Sequence, residues 1–134
     1  MKQITLILAA LAAVTVESAP FRTIQRIWAV EPENAAILSG GGIGTHLQMG
    51  IGDGLIPAIL DREIYDDICI VSDEEALATA RALAAEEGML VGVSSGTNVA
   101  AAKRLAKKLG PGKTVVTVLP DTGERYFSTP LFEA

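Results

Sequence analysis

The sequence predicts an α/β protein built on a parallel sheet. Three short apolar runs, at 27–30, 68–71 and 114–119, indicate strands, and β-branched residues dominate the last of them. Two segments, at about 73–87 and 96–109, have the periodicity of amphipathic helices. Strands that are apolar on both faces and alternate with such helices are typical of a parallel, Rossmann-like sheet with helices on both faces. We therefore expect this architecture.

Composition narrows the class of protein and its partners. The chain has 134 residues, 49% of them hydrophobic, and a net charge of −5, which is typical of one soluble globular domain. The negative charge argues against nucleic acid or membrane as a partner, and we expect a cytoplasmic location. One cysteine and one histidine exclude an internal disulfide and a zinc site built from these residues. Cys69 is predicted to be a small buried hydrophobe.

Residues 1–26 are predicted to form a separate N-terminal segment. Its apolar stretch at 4–16 follows an early Lys2, as in a secretion signal, although Glu17 fits poorly in a cleavage site of small residues. The stretch is too short to cross a bilayer. Three interpretations stay open: a signal, a buried helix or strand of the domain, and foreign or frameshifted sequence ahead of a truncated domain.

A glycine-rich loop follows the first strand. Pro32 ends the run at 27–30, and seven glycines then fall between Gly40 and Gly54, a density that no regular element tolerates. A long loop of this kind in a compact domain usually has a function. The loop does not complete a dinucleotide-binding fingerprint, and the segment 112–114 precedes its strand, where a P-loop would follow one.

The first helix has local signals at both ends. Ser72 and Glu75 have the spacing of a capping box, in which the glutamate also reaches back to the cap. Gly88 is a typical helix stop. Four residues are predicted to share its core face: Leu77, Ala80, Leu83 and Ala84.

The second helix is predicted to begin near Gly96, with Ser94 and Ser95 as caps that accept from free backbone N–H groups. The partial positive charge at such a helix start suits an anion or a polar ring. The predicted core face consists of Val99, Ala102, Ala106 and Leu109.

Three features are expected to meet at one edge of the sheet. The exit at Glu31 and Pro32 and the bend at Pro120 and Asp121 follow strands, and the segment 92–96 could join them from a helix start. Ligands of parallel sheets bind beyond the carboxyl ends of the strands. A shared pocket is therefore expected, although these residues alone do not name its ligand.

Four motifs carry a resemblance to a known family. The motifs are AVEP at 29–32, GIGDGLIP at 50–57, GVSSG at 92–96 and PDTGERYFST at 120–129. They occur in the same order and at similar spacing in cysteine synthases, which are O-acetylserine sulfhydrylases. These enzymes share the pyridoxal-phosphate fold of the tryptophan synthase β chain. The resemblance covers about 27–132. Residues 27–134 are thereby identified as the C-terminal part of a pyridoxal-phosphate-dependent β-replacement enzyme, a partial large domain of that fold.

The resemblance implies an activity, a cofactor and partners. A cysteine synthase uses pyridoxal 5'-phosphate to convert O-acetylserine and sulfide to L-cysteine and acetate, and family members typically form homodimers. The implied partners are therefore a small amino-acid substrate, sulfide and a second copy of the chain. Two alternatives stay open: a fragment of a cystathionine β-synthase-like enzyme, and a non-catalytic truncated paralogue that acts as an interaction module.

The resemblance also implies cofactor-binding residues. Ser94 matches the serine whose hydroxyl bonds the pyridine nitrogen of the cofactor. A neutral hydroxyl leaves the ring unprotonated, which suits loss of a good β-leaving group such as acetate. The other implied positions are Gly50, Ile51, Gly52, Pro120 and Asp121. The first three match a loop on the substrate side of the cofactor, and the last two match a strand end beside the pyridine.

Two parts of the family site have no counterpart in these residues. The Schiff-base lysine of the family lies in an N-terminal domain, and none of the five lysines here stands in a matching context. The glycine- and threonine-rich phosphate cradle expected before Glu31 is also missing. We therefore assign no catalytic residue, and we expect the chain alone to be inactive and to fail in covalent capture of the cofactor.

Overall fold

The computed structural model describes residues 11–16 and 24–132. Six helices and strands follow one another along the chain, with short 3-10 turns at Glu33–Ala35 and Gly123–Tyr126: β1 (Leu11–Val16), β2 (Ile24–Pro32), β3 (Asp67–Val71), α1 (Asp73–Glu87), α2 (Val93–Leu109) and β4 (Thr114–Val116). The long connection between β2 and β3 contains the glycine-rich loop.

The four strands form one sheet in the order β3-β2-β1-β4. β2 and β3 are parallel, with Val30 opposite Cys69, whereas β1 is antiparallel to both β2 and β4. The predicted α/β class is confirmed, and so is the parallel pairing of the strands at 27–30 and 68–71. The sheet as a whole is mixed because β1, which comes from the N-terminal segment, runs against both of its neighbours.

β1 bears on the interpretation of residues 1–26. Residues 11–16 are hydrogen-bonded into the sheet as a strand. Residues 1–10 and 17–23 lie outside the described residues, so the structure does not address the signal and its cleavage site.

The core lies between one face of the sheet and the two helices. α2 packs against all four strands and α1 packs against α2. Trp28 and Val30 of β2, Cys69 and Val71 of β3 and Leu105 of α2 belong to one buried cluster. Cys69 is thus a buried hydrophobe, as predicted. α1 joins this core through its packing on α2. Neither described helix has the length and apolar character needed to cross a bilayer.

α1 has the ends that the sequence predicts. The Ser72 hydroxyl accepts from the Glu75 N–H at 3.3 Å, and Gly88 adopts a left-handed conformation with φ of 69°. The other half of the capping box is wrong, because the Glu75 carboxylate forms an ion pair with Arg104 of α2. For the Glu75 carboxylate, Arg104 on the other helix has thus replaced the backbone of the N-cap residue as partner.

α2 begins three residues earlier than predicted. Gly92 is the N-cap residue, and its carbonyl already accepts from the Gly96 N–H at 3.3 Å. Ser94 and Ser95 therefore lie within the first turn, and their prediction as caps was wrong. The first turn forms earlier because the preceding glycine accommodates the close approach of the bend at Asp121.

The buried face of α2 also differs from the prediction. The buried apolar residues of its second half are Ala100, Ala101 and Leu105, whereas Ala106 is exposed and the other three predicted positions are only half-buried. The first half is buried on every side, including four polar residues: Ser94, Ser95, Thr97 and Asn98. Apolar periodicity cannot locate a core face where polar residues are also buried.

β4 is shorter than the predicted strand at 114–119. Only Thr114–Val116 pairs with β1. Beyond it, the carbonyl of Val118 accepts from the Asn98 side-chain amide at 2.8 Å. A helix side chain thus takes the place of a neighbouring strand.

Candidate functional site

The start of α2 lies against the C-terminal bend of the chain. The Gly92 N–H donates to the Asp121 carbonyl at 3.3 Å, and the Ser95 hydroxyl approaches the same oxygen at 3.5 Å. Val91 and Thr122 form an isolated antiparallel bridge beside them. The segment before α2 and the bend that follows the last strand are therefore fixed together.

The Asp121 carboxylate is held at this junction by Tyr126. The phenol donates to Asp121 Oδ2, and Asp121 Oδ1 is buried without a partner among residues 24–132. Burial, and next the hydrogen bond to Asp121, raise the pKa of Tyr126 to about 12. Tyr126 therefore stays protonated and remains a donor at neutral pH.

Gly92 makes this packing geometrically feasible. A Cβ atom added at Gly92 would lie 2.2 Å from Asp121 Oδ1 and 2.6 Å from Cε2 of Tyr126. Both distances are far below van der Waals contact. Only a glycine at this position allows the carboxylate to reach the start of the helix.

Gln48 joins the glycine-rich loop to both helices. Its side chain is fully buried. The amide nitrogen donates to the Val71 carbonyl at 2.9 Å and to Asp73 Oδ1 at 3.0 Å, and the amide oxygen accepts from the Thr97 hydroxyl at 2.8 Å. One side chain thus connects the loop to the end of β3, the start of α1 and the first turns of α2.

The glycine-rich loop borders a cavity of about 150 Å³ at the end of β2. Gly50, Ile51 and Gly52 line it, together with Val30 and Glu31. The two glycines have φ of 87° and 69°, a conformation that residues with a Cβ rarely adopt. Ser94, Pro120 and Asp121 do not line this cavity.

Glu31 fixes the other side of the loop. Its carboxylate is buried and accepts from the backbone N–H groups of Leu38 at 2.8 Å and Ser39 at 3.0 Å. The Ser39 hydroxyl donates to it as well. A buried charge is tolerated here because several hydrogen bonds replace its water.

Ser94 is the one hydroxyl in this part of α2 that is left free. Ser94 is only 4% exposed, and its hydroxyl makes no hydrogen bond within the described part of the chain. By contrast, the Ser95 and Thr97 hydroxyls have partners. Ser94 therefore lies in a turn that contacts both the bend at Asp121 and the glycine-rich loop, with a donor available for a ligand.

The predicted cofactor-binding residues thus belong to one connected unit, although only three of them line the cavity. Sequence reasoning missed the roles of Gln48 and Glu31. A carboxylate inside the apolar strand was a usable signal for Glu31. No local pattern marks Gln48, because its three partners come from distant segments.

Comparison with known proteins indicates the family of the chain. Residues 7–121 match the family described as pyridoxal-phosphate dependent enzyme. A cysteine synthase of Staphylococcus aureus is 54% identical over 106 residues, which are 79% of this chain and 34% of that protein. The chain therefore spans about a third of the length of the curated relatives it matches.

Solved structures give the same result. A cysteine synthase of Entamoeba histolytica superposes with a TM-score of 0.75 at 40% identity, covering 80% of this chain and 32% of that one. An O-acetylserine dependent cystathionine beta-synthase of Helicobacter pylori has a TM-score of 0.75 at 40% identity, covering 81% of this chain and 35% of that one. The chain belongs to the family of pyridoxal-phosphate dependent enzymes.

Proposed function

We propose that this chain supplies the ring-binding half of the cofactor site in a cysteine synthase-type enzyme. The reaction is the β-replacement that converts O-acetylserine and sulfide to L-cysteine and acetate. The observation that supports the proposal is the free Ser94 hydroxyl, in a helix start that is joined to both the glycine-rich loop and the bend at Asp121.

The residues present fit a pyridine ring. Ser94 offers a donor to a ring nitrogen, and the start of α2 contributes a partial positive charge. The buried, unpartnered Asp121 Oδ1 shows that this junction has unused polar capacity. In the proposal, Gly50, Ile51 and Gly52 border the substrate side, and Pro120 and Asp121 border the ring.

Bound pyridoxal phosphate supplies an electron sink for a carbanion at the α-carbon of an amino acid. The contribution of this chain is to orient the ring. Because a serine hydroxyl does not protonate the nitrogen, the sink stays moderate, which favours a substrate with a good β-leaving group. The Schiff-base lysine and the phosphate cradle belong, in this proposal, to the rest of the family domain.

A chimera tests the proposal directly. The part of the S. aureus cysteine synthase that precedes the matched third is joined to residues 27–134 of this chain and loaded with pyridoxal phosphate. We expect cysteine formation and an absorbance band at ~410–420 nm, the usual region for this cofactor on a lysine. Ser94→Ala should lower kcat/KM about tenfold, the equivalent of one hydrogen bond.

Ser95→Ala is the matched control, because Ser95 is equally buried and adjacent but its hydroxyl faces the Asp121 carbonyl. It should leave the absorbance band unchanged and kcat/KM within about twofold. A loaded chimera that forms no cysteine, or a Ser94→Ala variant with the kinetics and spectrum of the parent, would contradict the proposal.

A second candidate is a cystathionine β-synthase-like activity. It is favoured by the similarity to the H. pylori enzyme, whose TM-score equals that of the E. histolytica cysteine synthase. Supplying the same chimera with homocysteine in place of sulfide separates the two. Faster formation of cystathionine than of cysteine would favour this second activity.

A further inference from the structure

The single histidine of the chain lies in the glycine-rich loop and connects two backbone groups of that loop. Nε2 of His46 lies 3.2 Å from the Gly52 carbonyl oxygen, and the Gln48 backbone N–H donates to Nδ1 at 3.2 Å. The residue is half-buried. One imidazole thus spans the loop from the buried Gln48 to the turn at 50–52.

The two partners of the ring determine where its proton lies. A carbonyl oxygen can only accept a hydrogen bond, so Nε2 must carry the proton and donate to Gly52. A backbone N–H can only donate, so Nδ1 must be unprotonated to accept from Gln48. Both hydrogen bonds form together only in the neutral imidazole with its proton on Nε2. The other neutral tautomer would lose both of them.

The absence of a side chain at Gly52 leaves space for this ring. An added Cβ at Gly52 would lie 2.9 Å from Nε2 of His46 and 2.7 Å from Cγ of Pro32. Both distances are shorter than real contacts of a Cβ atom. The imidazole and the proline ring at the end of β2 therefore both pack directly against the backbone of the turn.

The turn at 50–52 depends on support from outside itself. Gly50 and Gly52 have φ of 87° and 69°, and glycine has the most conformational freedom of any residue. Among the described residues, the only other hydrogen bond of the turn runs from the Ile51 N–H to the Gln48 carbonyl at 3.4 Å. His46 is therefore the one side chain that hydrogen-bonds to this turn in the described part of the chain.

We propose that His46 is a positioning residue for the turn at 50–52, acting as the neutral imidazole with its proton on Nε2. The inference rests on the proposed function, in which Gly50, Ile51 and Gly52 border the substrate, and deepens it by naming the side chain that holds them. His46 does not line the cavity beside the turn, so it acts through the Gly52 backbone. Loss of its hydrogen bonds should weaken substrate binding and leave the ring site at Ser94 intact.

Amide exchange in the chain alone, measured by NMR, tests each ring nitrogen separately. In His46→Asn, the side-chain oxygen lies near the position of Nδ1 and can accept from Gln48, but the side chain is too short to reach Gly52. In His46→Gln, the amide nitrogen lies near the position of Nε2 and can donate to Gly52. We expect the Ile51 amide to exchange about tenfold faster in His46→Asn, the equivalent of one hydrogen bond, and within about threefold of the parent in His46→Gln. The Gln48 amide should show the opposite order.

Thr45→Ala is the matched control, because Thr45 is adjacent, exposed and without a hydrogen bond among the described residues. It should change the exchange of the Ile51 and Gln48 amides by less than about twofold. Ile51 exchange that is unchanged in His46→Asn overturns the inference. Equal acceleration of Ile51 exchange in His46→Asn and His46→Gln, or in His46→Asn and the control, overturns it too.

A second measurement needs no substitution. Because His46 is the only histidine, all imidazole signals in the ¹⁵N–¹H correlation spectrum of the tag-free chain belong to it. At ~pH 8, where an imidazole is generally neutral, we expect a proton on Nε2 and none on Nδ1. A ring that carries its proton on Nδ1 overturns the inference.

The chimera described above links the turn to the reaction. His46→Asn should raise KM for O-acetylserine about tenfold while kcat stays within about threefold, because a looser turn weakens substrate binding and not the chemical step. His46→Gln should return KM to within about threefold of the parent, and the band at ~410–420 nm should stay unchanged in both variants. A lower kcat with unchanged KM overturns the inference.

Failure of the proposed function is a separate result. A chimera that forms no cysteine and shows no band at ~410–420 nm contradicts the cofactor role of the chain. The exchange measurements and the imidazole spectrum of the chain alone then still decide whether His46 holds the turn at 50–52.

Discussion

Tyr126 and Asp121 form the side-chain pair that holds the C-terminal bend against α2. The two residues are five positions apart in the sequence, and their hydrogen bond is partly buried. Asp121 Oδ1 has no partner within the described residues, so Tyr126 supplies the only hydrogen bond to this carboxylate in that part of the chain. The stability of the bend therefore depends on one phenol.

Tyr126→Phe should destabilise the protein by about 1–3 kcal/mol, because a buried carboxylate is left without a donor. Urea unfolding followed by the fluorescence of Trp28, the single tryptophan, measures the change. Tyr65→Phe is the control, since Tyr65 makes no hydrogen bond through its phenol in the described structure. Equal stabilities of the two variants would show that the contact contributes nothing.

The pH dependence of stability has a defined sign at this residue. Burial and the bond to Asp121 raise the pKa of Tyr126 from 10.0 to about 12. The folded state thus binds the proton more tightly than the unfolded state. The contribution of this protonated phenol to the free energy of unfolding is complete below pH 10.0 and is lost as the pH rises towards about 12.

The free energy of unfolding of the parent should therefore fall more steeply than that of Tyr126→Phe as the pH is raised from ~9 to ~11. The difference between the two chains isolates Tyr126, because every other titratable group is common to both. Parallel curves would contradict the assignment.

At the scale of the elements, Gly96 sets the distance between the two helices. An added Cβ would lie 2.1 Å from the Ala76 carbonyl and 2.9 Å from Cβ of Ala80. α1 therefore packs directly onto the backbone of α2 at this point.

Gly96→Ala should destabilise the protein by about 1–3 kcal/mol through overpacking, although helix propensity alone favours alanine by ~1 kcal/mol. Chemical denaturation measures the net sign. Gly42→Ala is the control, because nothing lies within 4 Å of its added Cβ and its φ is not positive. A stabilised Gly96→Ala variant would rule out the close contact.

The ends of α1 could be predicted from the sequence because Ser72 and Gly88 act on their own backbone. The start and buried face of α2 could not, since they depend on the bend at Asp121 and on polar residues buried by other segments. Of the four motifs, GVSSG at 92–96 meets PDTGERYFST at 120–129, and AVEP at 29–32 shares a cavity with GIGDGLIP at 50–57. Ser94, Pro120 and Asp121 do not line that cavity. The way in which they meet, through Gln48 and through Tyr126, involves partners that no local pattern reveals.

At the scale of the whole molecule, Gln48 connects parts that are distant in sequence. Its partners Val71, Asp73 and Thr97 lie 23 to 49 positions away. The glycine-rich loop is therefore held to the helical layer by this buried amide, together with the Leu47 N–H, which donates to Asp73 Oδ2 at 2.9 Å.

Gln48→Leu should accelerate amide exchange in the loop at 40–54, because the Val71 carbonyl and Asp73 Oδ1 lose the Gln48 amide as donor at about 1–3 kcal/mol each. The Thr97 hydroxyl keeps the Val93 carbonyl as a partner at 3.1 Å. Hydrogen exchange measured by mass spectrometry gives the change for each segment. Thr45→Val, an exposed substitution in the same loop, should have little effect. Unchanged exchange after Gln48→Leu would mean that the loop is held elsewhere.

The mixed sheet shows the limit of inference from strand patterns. The apolar runs correctly predicted the parallel pairing of β2 with β3. They did not place β1 between β2 and β4, because strand order is decided by long-range pairing rather than by local composition.

The position of β1 in the sheet also constrains how the chain folds. Val14 is paired with Val116, 102 positions later. On the ribosome, β1 must wait for 102 further residues to emerge before Val14 gains its partner on β4. Closing so large a loop is entropically costly and slow. The backbone ladder between β1 and β4 is accordingly the last to be completed. During synthesis, the side of β1 that later pairs with β4 is the natural place for a chaperone or a wrong strand to bind.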